Sequence, residues 1–515
     1  MRRLQGQKPK FQKHYNHDNG RPLGTMEEML RYAHDTTGSL ILANTLVLRS
    51  KKAITGVMVR KAMEQLMRRH PILRMCYQKN QSEEYHLQKM TTLKVDLRER
   101  DTTDWKSVME ESLLEKFDGK NGPLWRVLFL PKARYQSNAD EEIPEITSHP
   151  HECICIINFH HIVVDGPSYS RMFAEFKTYL GNALNNEEPQ VSSMPMLPPI
   201  DLYLDEAAPS RWYHPLMPLV FRLLCMIPGF TARMMGEFAA KGNAFTRKYG
   251  VEIQRSPHIQ PKTKIIPLEF TKSETSKFLK KCKEYQTTVQ GAVQTAAGVS
   301  MVTMLEDQTL EVPTRVTVNI RPFLKSKVPN DYAGAYYLRV ECENLLVSTP
   351  DPGMFWSMAK QASNDIHTQL KNNEPVKKWS VMKFLFPVVL GMMNNELKEE
   401  DDGCGGRRRQ LLVFTNLGYA KFLDGSPEDD VILRARFGGC AEHHQGTIFD
   451  NNIVTFNGKL FWTVIHYSNI VSDVVAQKFC VIDEFYFDQK DRTKVLENSA
   501  FSFVLLIIFT SVSDT

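Results

Sequence analysis

The sequence predicts a mixed α/β protein built in two parts, and three observations lead there. Short apolar, β-branched runs alternate with segments of 3.6-residue periodicity along both halves, the pattern of strands layered with helices. The chain has 515 residues, 42% of them hydrophobic and 24% charged, which is ordinary for a globular protein and too long for one compact core. Between Glu187 and Ile265 the composition changes: Pro195, Pro198, Pro199, Pro209, Pro215, Pro218 and Pro228 punctuate a stretch longer than a simple linker needs. The expected division is a flexible basic arm at 1–21, a first subdomain at 22–190, a Pro-rich linker with an apolar segment at 191–262, a second subdomain at 263–490 and a tail at 491–515.

Taken in order, Thr25 with Glu28 reads as a capping box opening a short helix that ends near Gly38, and Leu40 to Leu48 reads as a strand. A second helix from Thr55 to Arg69 puts Val59, Ala62, Met63, Leu66 and Met67 on one face, and Pro71 stops it. Ile72 to Tyr77 and Leu124 to Leu130 are expected strands, with a helix around Trp105 to Phe117 between them. In the second half, strand Ile265 to Phe270 precedes a helix over Ser273 to Tyr285, opened by a capping box at Thr271 and Glu274. Thr288 to Leu305 is rich in Ala and Gly and reads as a buried central helix. Strands are expected over Arg315 to Arg321 and Ala335 to Cys342, then helices near Phe355 to Leu370 and Val381 to Glu396. The charge-switching loop Lys398 to Arg409 follows, and Asn457-Gly458 between two apolar runs is a strong hairpin signal. A helix from Ser472 to Phe485 closes the pattern.

The stretch around which these elements are organised is Asn158 to Gly166, NFHHIVVDG. An apolar run from Cys153 to Phe159 leads into it as a buried strand, and Gly166-Pro167 starts a helix with Met172, Phe173, Phe176, Tyr179 and Leu180 on one face. His160, His161 and Asp165 therefore sit on a short turn between a strand and a helix N-terminus, a placement that fixes reactive groups against a core.

The HHxxxDG pattern resembles that of the condensation-domain and chloramphenicol acetyltransferase-like superfamily, and other stretches match in the right order. Arg69 to Arg74 is similar to the RHPxLR element, Val318 to Pro322 to the NxRP element, Asp331 to Ala335 to a YFGN-like turn, and Phe414 to Gly418 to an SNLG-like strand. Together they span about Pro22 to Gln489, and they look nearest to alcohol acetyltransferases and polyketide-associated acyltransferases. The chain departs from the plant BAHD branch in having no DFGWG, and from synthetase condensation domains in having no adenylation or carrier module attached.

The resemblance implies two chloramphenicol acetyltransferase-like subdomains, mixed sheets with packed helices, around a central active-site tunnel. It implies an acyltransferase that moves an acyl group from a thioester, foremost an acyl-CoA, to an alcohol or amine without a covalent enzyme intermediate. By the same resemblance His161 is the general base, and Asp165 braces the motif loop by pairing with an arginine, Arg321 being the first choice and Arg74 the second. His160 and Gly166 are supporting residues, Gly166 supplying a conformation or a close approach that a side chain would obstruct. Asn416 is either a tunnel-lining group or a strand-end cap. The alternatives are a condensation enzyme using carrier-protein thioesters in trans and an inactive condensation-fold binding protein. No Walker A or GxGxxG cradle is present, so no residue is assigned to coenzyme A and no tightly bound cofactor is expected.

The plain rivals to these roles are polar strand-end histidines and a metal site. Adjacent strand residues point to opposite faces, so His160 and His161 are poorly placed to chelate one ion, and no metal is expected. His443-His444 lacks the following aspartate and reads as structural or tunnel-lining. A net charge of +5 gives no argument for nucleic acid. Nine cysteines without CxxC spacing fit reduced thiols in a cytoplasmic monomer, and Met1 to His14 is basic without the apolar core of a secretory signal. The tail run Phe501 to Phe509 is too short to span a bilayer. Pro215 to Met235 is strongly apolar for a linker. Covering the groove between subdomains is the favoured reading, and peripheral membrane contact through Arg222, Arg233 and the apolar side chains is the other.

Overall fold

The computed structural model describes residues 20–137, 148–209, 211–227, 244–250, 262–306, 309–342, 346–348, 352–399, 412–441, 447–468 and 470–480. The arm up to residue 19, residues 228–235 of the apolar segment with Arg233, residues 400–409 of the charged loop, the His443-His444 pair and the apolar tail lie outside the described residues.

Two mixed sheets organise the fold. The first has five strands in the order Val431–Cys440, Ile41–Ser50, His151–His160, Trp125–Leu130 and Leu97–Glu99. The motif strand His151–His160 is its centre, paired along its full length with Ile41–Ser50, from Ile41 opposite His160 to Ser50 opposite His151. Flanked on both edges, it reads as a continuous apolar run rather than an alternating one, as a strand buried on both faces must. The second sheet has six strands, Tyr337–Cys342, Thr314–Asn319, Leu412–Tyr419, Phe449–Phe456, Lys459–Tyr467 and Thr263–Glu269. Its hairpin turns at Asn457 and Gly458, whose φ values of 50° and 71° are the positive angles a tight two-residue turn needs.

Several expected elements shift in ways that have physical causes. The first helix, Thr25–Thr37, starts one residue early: Gly24 occupies the N-cap, and Glu27, not Glu28, accepts its N–H at 2.9 Å. Glu27 is drawn there by a two-pronged pair with Arg21, both contacts 2.6 Å. Arg21 is itself buried and Arg21–Pro22 pairs with Tyr85–Lys89, so the expected flexible arm ends before it. The expected strand at Ile72 is instead a 3₁₀ turn, Pro71–Arg74, with the strand beginning at Met75, because proline pre-sets a helical φ. The helix at Trp105 stops at Ser112.

The central helix Val289–Leu305 is buried almost all round, as its small residues predict. A Cβ at Gly291 would stand 2.3 Å from the Ala359 carbonyl oxygen, so helix Pro352–Lys371 can approach this closely only against a glycine.

The boundary at 263 divides the chain but not the sheets. Strand Val431–Cys440, from the second half of the sequence, pairs antiparallel with Ile41–Ser50 and completes the first sheet. Other contacts tie the halves. Glu110 accepts the Ile265 N–H at 3.1 Å and pairs with Lys264 at 2.7 Å, while Glu269 takes the Tyr135 and Ser137 hydroxyls and Lys459. Within the supposed linker, Ile200–Ala207 is a helix whose Asp201 accepts the Trp379 indole N–H at 3.3 Å. That segment is part of the packed body.

Candidate active site

The motif strand ends at His160, and helix Gly166–Leu184 begins at Gly166 with Asp165 as its N-cap. The turn between them sends the two histidines to opposite sides, as strand alternation requires.

His160 faces inward and is fully buried. Its Nδ1 accepts the Ile162 N–H at 3.1 Å, so the ring proton sits on Nε2. The ring packs on His34 with centroids 4.3 Å apart, and Tyr77 and Phe117 close the nest. Burial, then the neighbouring charges of His34 and His161, push His160 well below the usual imidazole range, and it stays neutral. His34 is the partner sequence reasoning missed. Its Nδ1 donates to the Ser39 carbonyl at 3.0 Å and its Nε2 accepts the Phe117 N–H at 3.1 Å, so both nitrogens are spent on structure.

His161 faces the other way, onto a cavity of about 400 Å³. Tyr169 and Asp165 line this cavity from the first half, and Asn319, Tyr337, Asn416 and Asp450 line it from the second. The His161 ring stacks on Tyr337, centroids 4.7 Å apart and planes 20° from parallel. Its Nδ1 lies 3.0 Å from the Val164 carbonyl oxygen. A carbonyl only accepts, so Nδ1 carries the proton and Nε2 of the neutral ring carries the lone pair. Backbone and aromatic ring together fix both the tautomer and the plane of this histidine.

Asp165 is 1% exposed, and its two oxygens accept five donors. Arg321 reaches it through Nη1 at 2.6 Å and Nη2 at 3.1 Å, the Tyr336 N–H at 2.9 Å, and Ser168 through both its N–H and its hydroxyl. A carboxylate so engaged has no lone pair left for proton transfer, which makes it a brace. The partner is Arg321 rather than Arg74, and Arg321 is held in turn by the Tyr332 carbonyl and the Tyr336 ring. The brace therefore spans the two halves, 156 residues apart in sequence.

Gly166 lets the end of the Leu417 side chain come close. A Cβ there would stand 2.4 Å from Leu417 Cδ2, so the SNLG-like strand packs directly on the start of the motif helix. Asn416 lines the cavity, and inside strand Leu412–Tyr419, where the register shifts, its Oδ1 accepts the Gly418 N–H at 2.9 Å. The RHPxLR element latches the same helix from outside, with Arg69 and His70 each 2.7 Å from Glu175. Sequence reasoning missed Tyr337 and Tyr336, which touch the motif from 170 or more positions away; no local pattern marks them. Among the described residues, no group of three or more metal-ligating side chains comes together.

Comparison with known proteins follows the same division. Residues 34–197, the part bearing the motif, match the Condensation domain. No curated protein sequence matches the chain. Among solved structures, polyketide synthase associated protein 5 from Mycobacterium tuberculosis is similar over 95% of this chain and 99% of its own, with a TM-score of 0.59 at 12% identity. The trichothecene 15-O-acetyltransferase from Fusarium sporotrichioides covers 89% of this chain and 93% of its own, also at a TM-score of 0.59, with 11% identity. The epimerization domain of tyrocidine synthetase B covers 95% and 96%, at 0.56 and 14% identity. Residues 34–197 thus carry the Condensation domain match, and the chain as a whole shares the two-subdomain fold of these solved structures.

Proposed function

We propose that the protein is an acyltransferase that moves an acyl group from a thioester, with acyl-CoA as the donor co-substrate, to an alcohol or amine, and that His161 is the general base. The observation that carries this reading is the His161 Nδ1 to Val164 carbonyl hydrogen bond, which leaves Nε2 as the basic nitrogen of a residue lining the cavity. Nε2 takes the acceptor's proton as its oxygen or nitrogen attacks the thioester carbonyl. The carbon–sulfur bond then breaks, the thiolate recovers that proton from the imidazolium, and His161 returns to its neutral form. The Val164 carbonyl stabilises the imidazolium in between, the part an orienting carboxylate plays in a catalytic triad. No covalent enzyme intermediate is needed, because the thioester is already activated. A tunnel with donor and acceptor entering from opposite sides fits a cavity lined by both halves.

A hydroxyl acceptor is the first expectation, since a solved structure of the same fold is named an O-acetyltransferase. The Condensation match favours one second reading, transfer from a carrier-protein thioester supplied in trans. The deciding experiment is to incubate the purified protein with a panel of acyl-CoAs and acyl-carrier thioesters and follow acceptor-dependent release of free thiol. Release from acyl-CoA, lost in His161→Ala, supports the proposal. Release only from carrier thioesters replaces the donor, and no release from either, with binding retained, identifies a non-catalytic condensation fold.

A further inference from the structure

The apolar segment after the first subdomain is described as far as Ile227. Its described part is a short turn, His214–Leu216, followed by helix Met217–Cys225. One stripe of this helix, Met217, Pro218 and Phe221, is half-buried, and the helix packs against Glu374–Glu399. The opposite stripe on a 3.6-residue period begins with Leu219 and Leu223 and continues into Met226 and Ile227 just past the helix end. Those four side chains are 52–77% exposed. A surface helix of a water-soluble body turns polar side chains outward, whereas this one is apolar on both its inner and its outer face. Such a face calls for an apolar medium outside the protein.

The chemistry around the patch says which medium. From Arg211 to Ile227 the sequence holds two arginines and no carboxylate. Arg222 is exposed on the flank of the apolar stripe, and Trp212, 83% exposed, stands with Tyr213 at the entrance to the segment. Tryptophan and tyrosine concentrate where hydrocarbon meets head groups, and arginines beside them meet lipid phosphates. No helix of the described residues is long and apolar enough to cross a membrane, so the contact is one of lying on the surface.

We infer that helix Met217–Cys225 and its flanks are a membrane-docking surface for a bilayer with anionic lipid, Leu219, Leu223, Met226 and Ile227 entering the interface and Arg211 and Arg222 meeting the head groups. This inference stands apart from the catalytic reading, because it uses no residue of the cavity. Its test is flotation of the full chain with phosphatidylcholine vesicles, with and without phosphatidylserine, alongside light scattering for the oligomeric state. The wild type floats with vesicles, more strongly when phosphatidylserine is present, and Leu219→Ser/Leu223→Ser/Met226→Ser loses roughly tenfold or more of that binding. Arg222→Glu, a surface change that leaves folding intact, lowers binding to the phosphatidylserine vesicles more than to the neutral ones. Failure of the wild type to float, or flotation unchanged in both variants, overturns the inference. A wild-type dimer that the triple variant converts to monomer, without vesicle binding, overturns it too and makes the face a contact between two copies.

Discussion

The two sides of the motif strand end differ more than adjacent residues usually do. His160 lies in a closed nest with His34, Tyr77 and Phe117, its Nδ1 taken by the Ile162 N–H and both His34 nitrogens by backbone groups. One residue on, His161 lines a cavity, its ring oriented by the Val164 carbonyl and stacked on Tyr337. The difference teaches that a doubled histidine need not be a doubled function. One imidazole anchors the strand so that the next can be presented at a fixed angle. The brace at Asp165 serves the same presentation from the other end of the turn.

The largest expected effect on folding comes from removing that brace. Asp165→Asn leaves Arg321 buried at 2% exposure without its anion, and breaking such a pair from one side costs about 3–5 kcal/mol. Arg321→Ala costs a comparable amount, and the double variant should lose far less than the sum, because both changes remove one interaction. Chemical denaturation of the four proteins in a double-mutant cycle measures this, and full additivity would show that the pair is not the brace.

Crowding the turn is the next largest. Gly166→Ala sets a methyl against the end of the half-buried Leu417 side chain, an overpacking that costs about 1–3 kcal/mol if that side chain is held in place and less if it turns aside. Gly166→Ala/Leu417→Ala should restore most of the loss. No rescue in that double variant would place the strain elsewhere.

The smallest effect is a pH dependence. His34, His160 and His466 are all held below the usual imidazole range, burial being the chief cause in each. Below about pH 6.5 the unfolded chain binds protons that the folded chain refuses, so stability falls as the pH falls. Each such histidine adds a slope that rises toward a ceiling of about 1.4 kcal/mol per pH unit, reached where the unfolded imidazole is charged and the folded one is not. His34→Gln/His160→Gln, compared with wild type at pH 7 and pH 5.5, should show a shallower loss; an unchanged slope would mean that the nest is not what titrates.

How much of this was legible in the sequence depends on how local the cause is. The motif strand, its helix, the hairpin at Asn457-Gly458 and the small-residue helix all follow from short patterns that one element carries by itself. Arg321 could be named because it sits in a recognisable element, although its partner lies 156 residues away. Strand Val431–Cys440 was invisible. Arg434 and Arg436 interrupt its apolar run, and only the completed fold shows that both are buried, Arg436 against Asn44 and Tyr169. Sheet membership of this kind is a tertiary fact, since the strand pairs with residues almost 400 positions earlier. The same holds for Tyr337, which is marked by the histidine it stacks on, 176 positions earlier in the chain. The apolar segment is legible only in part: its composition says that it must leave water, but not whether protein or lipid receives it.

The central claim is that the two histidines divide structure and chemistry between them, and one paired measurement tests it most directly. His161→Ala and His160→Ala are assayed side by side for acceptor-dependent thiol release and for denaturation midpoint. His161→Ala should lower turnover by about 10²–10⁴-fold with little change in midpoint, as loss of a general base does. His160→Ala should lose about 2–4 kcal/mol of stability, as large-to-small changes in a core do, and keep most of its turnover at a temperature where it remains folded. Wild-type turnover in His161→Ala, or equal losses of turnover and stability in both, would contradict the account.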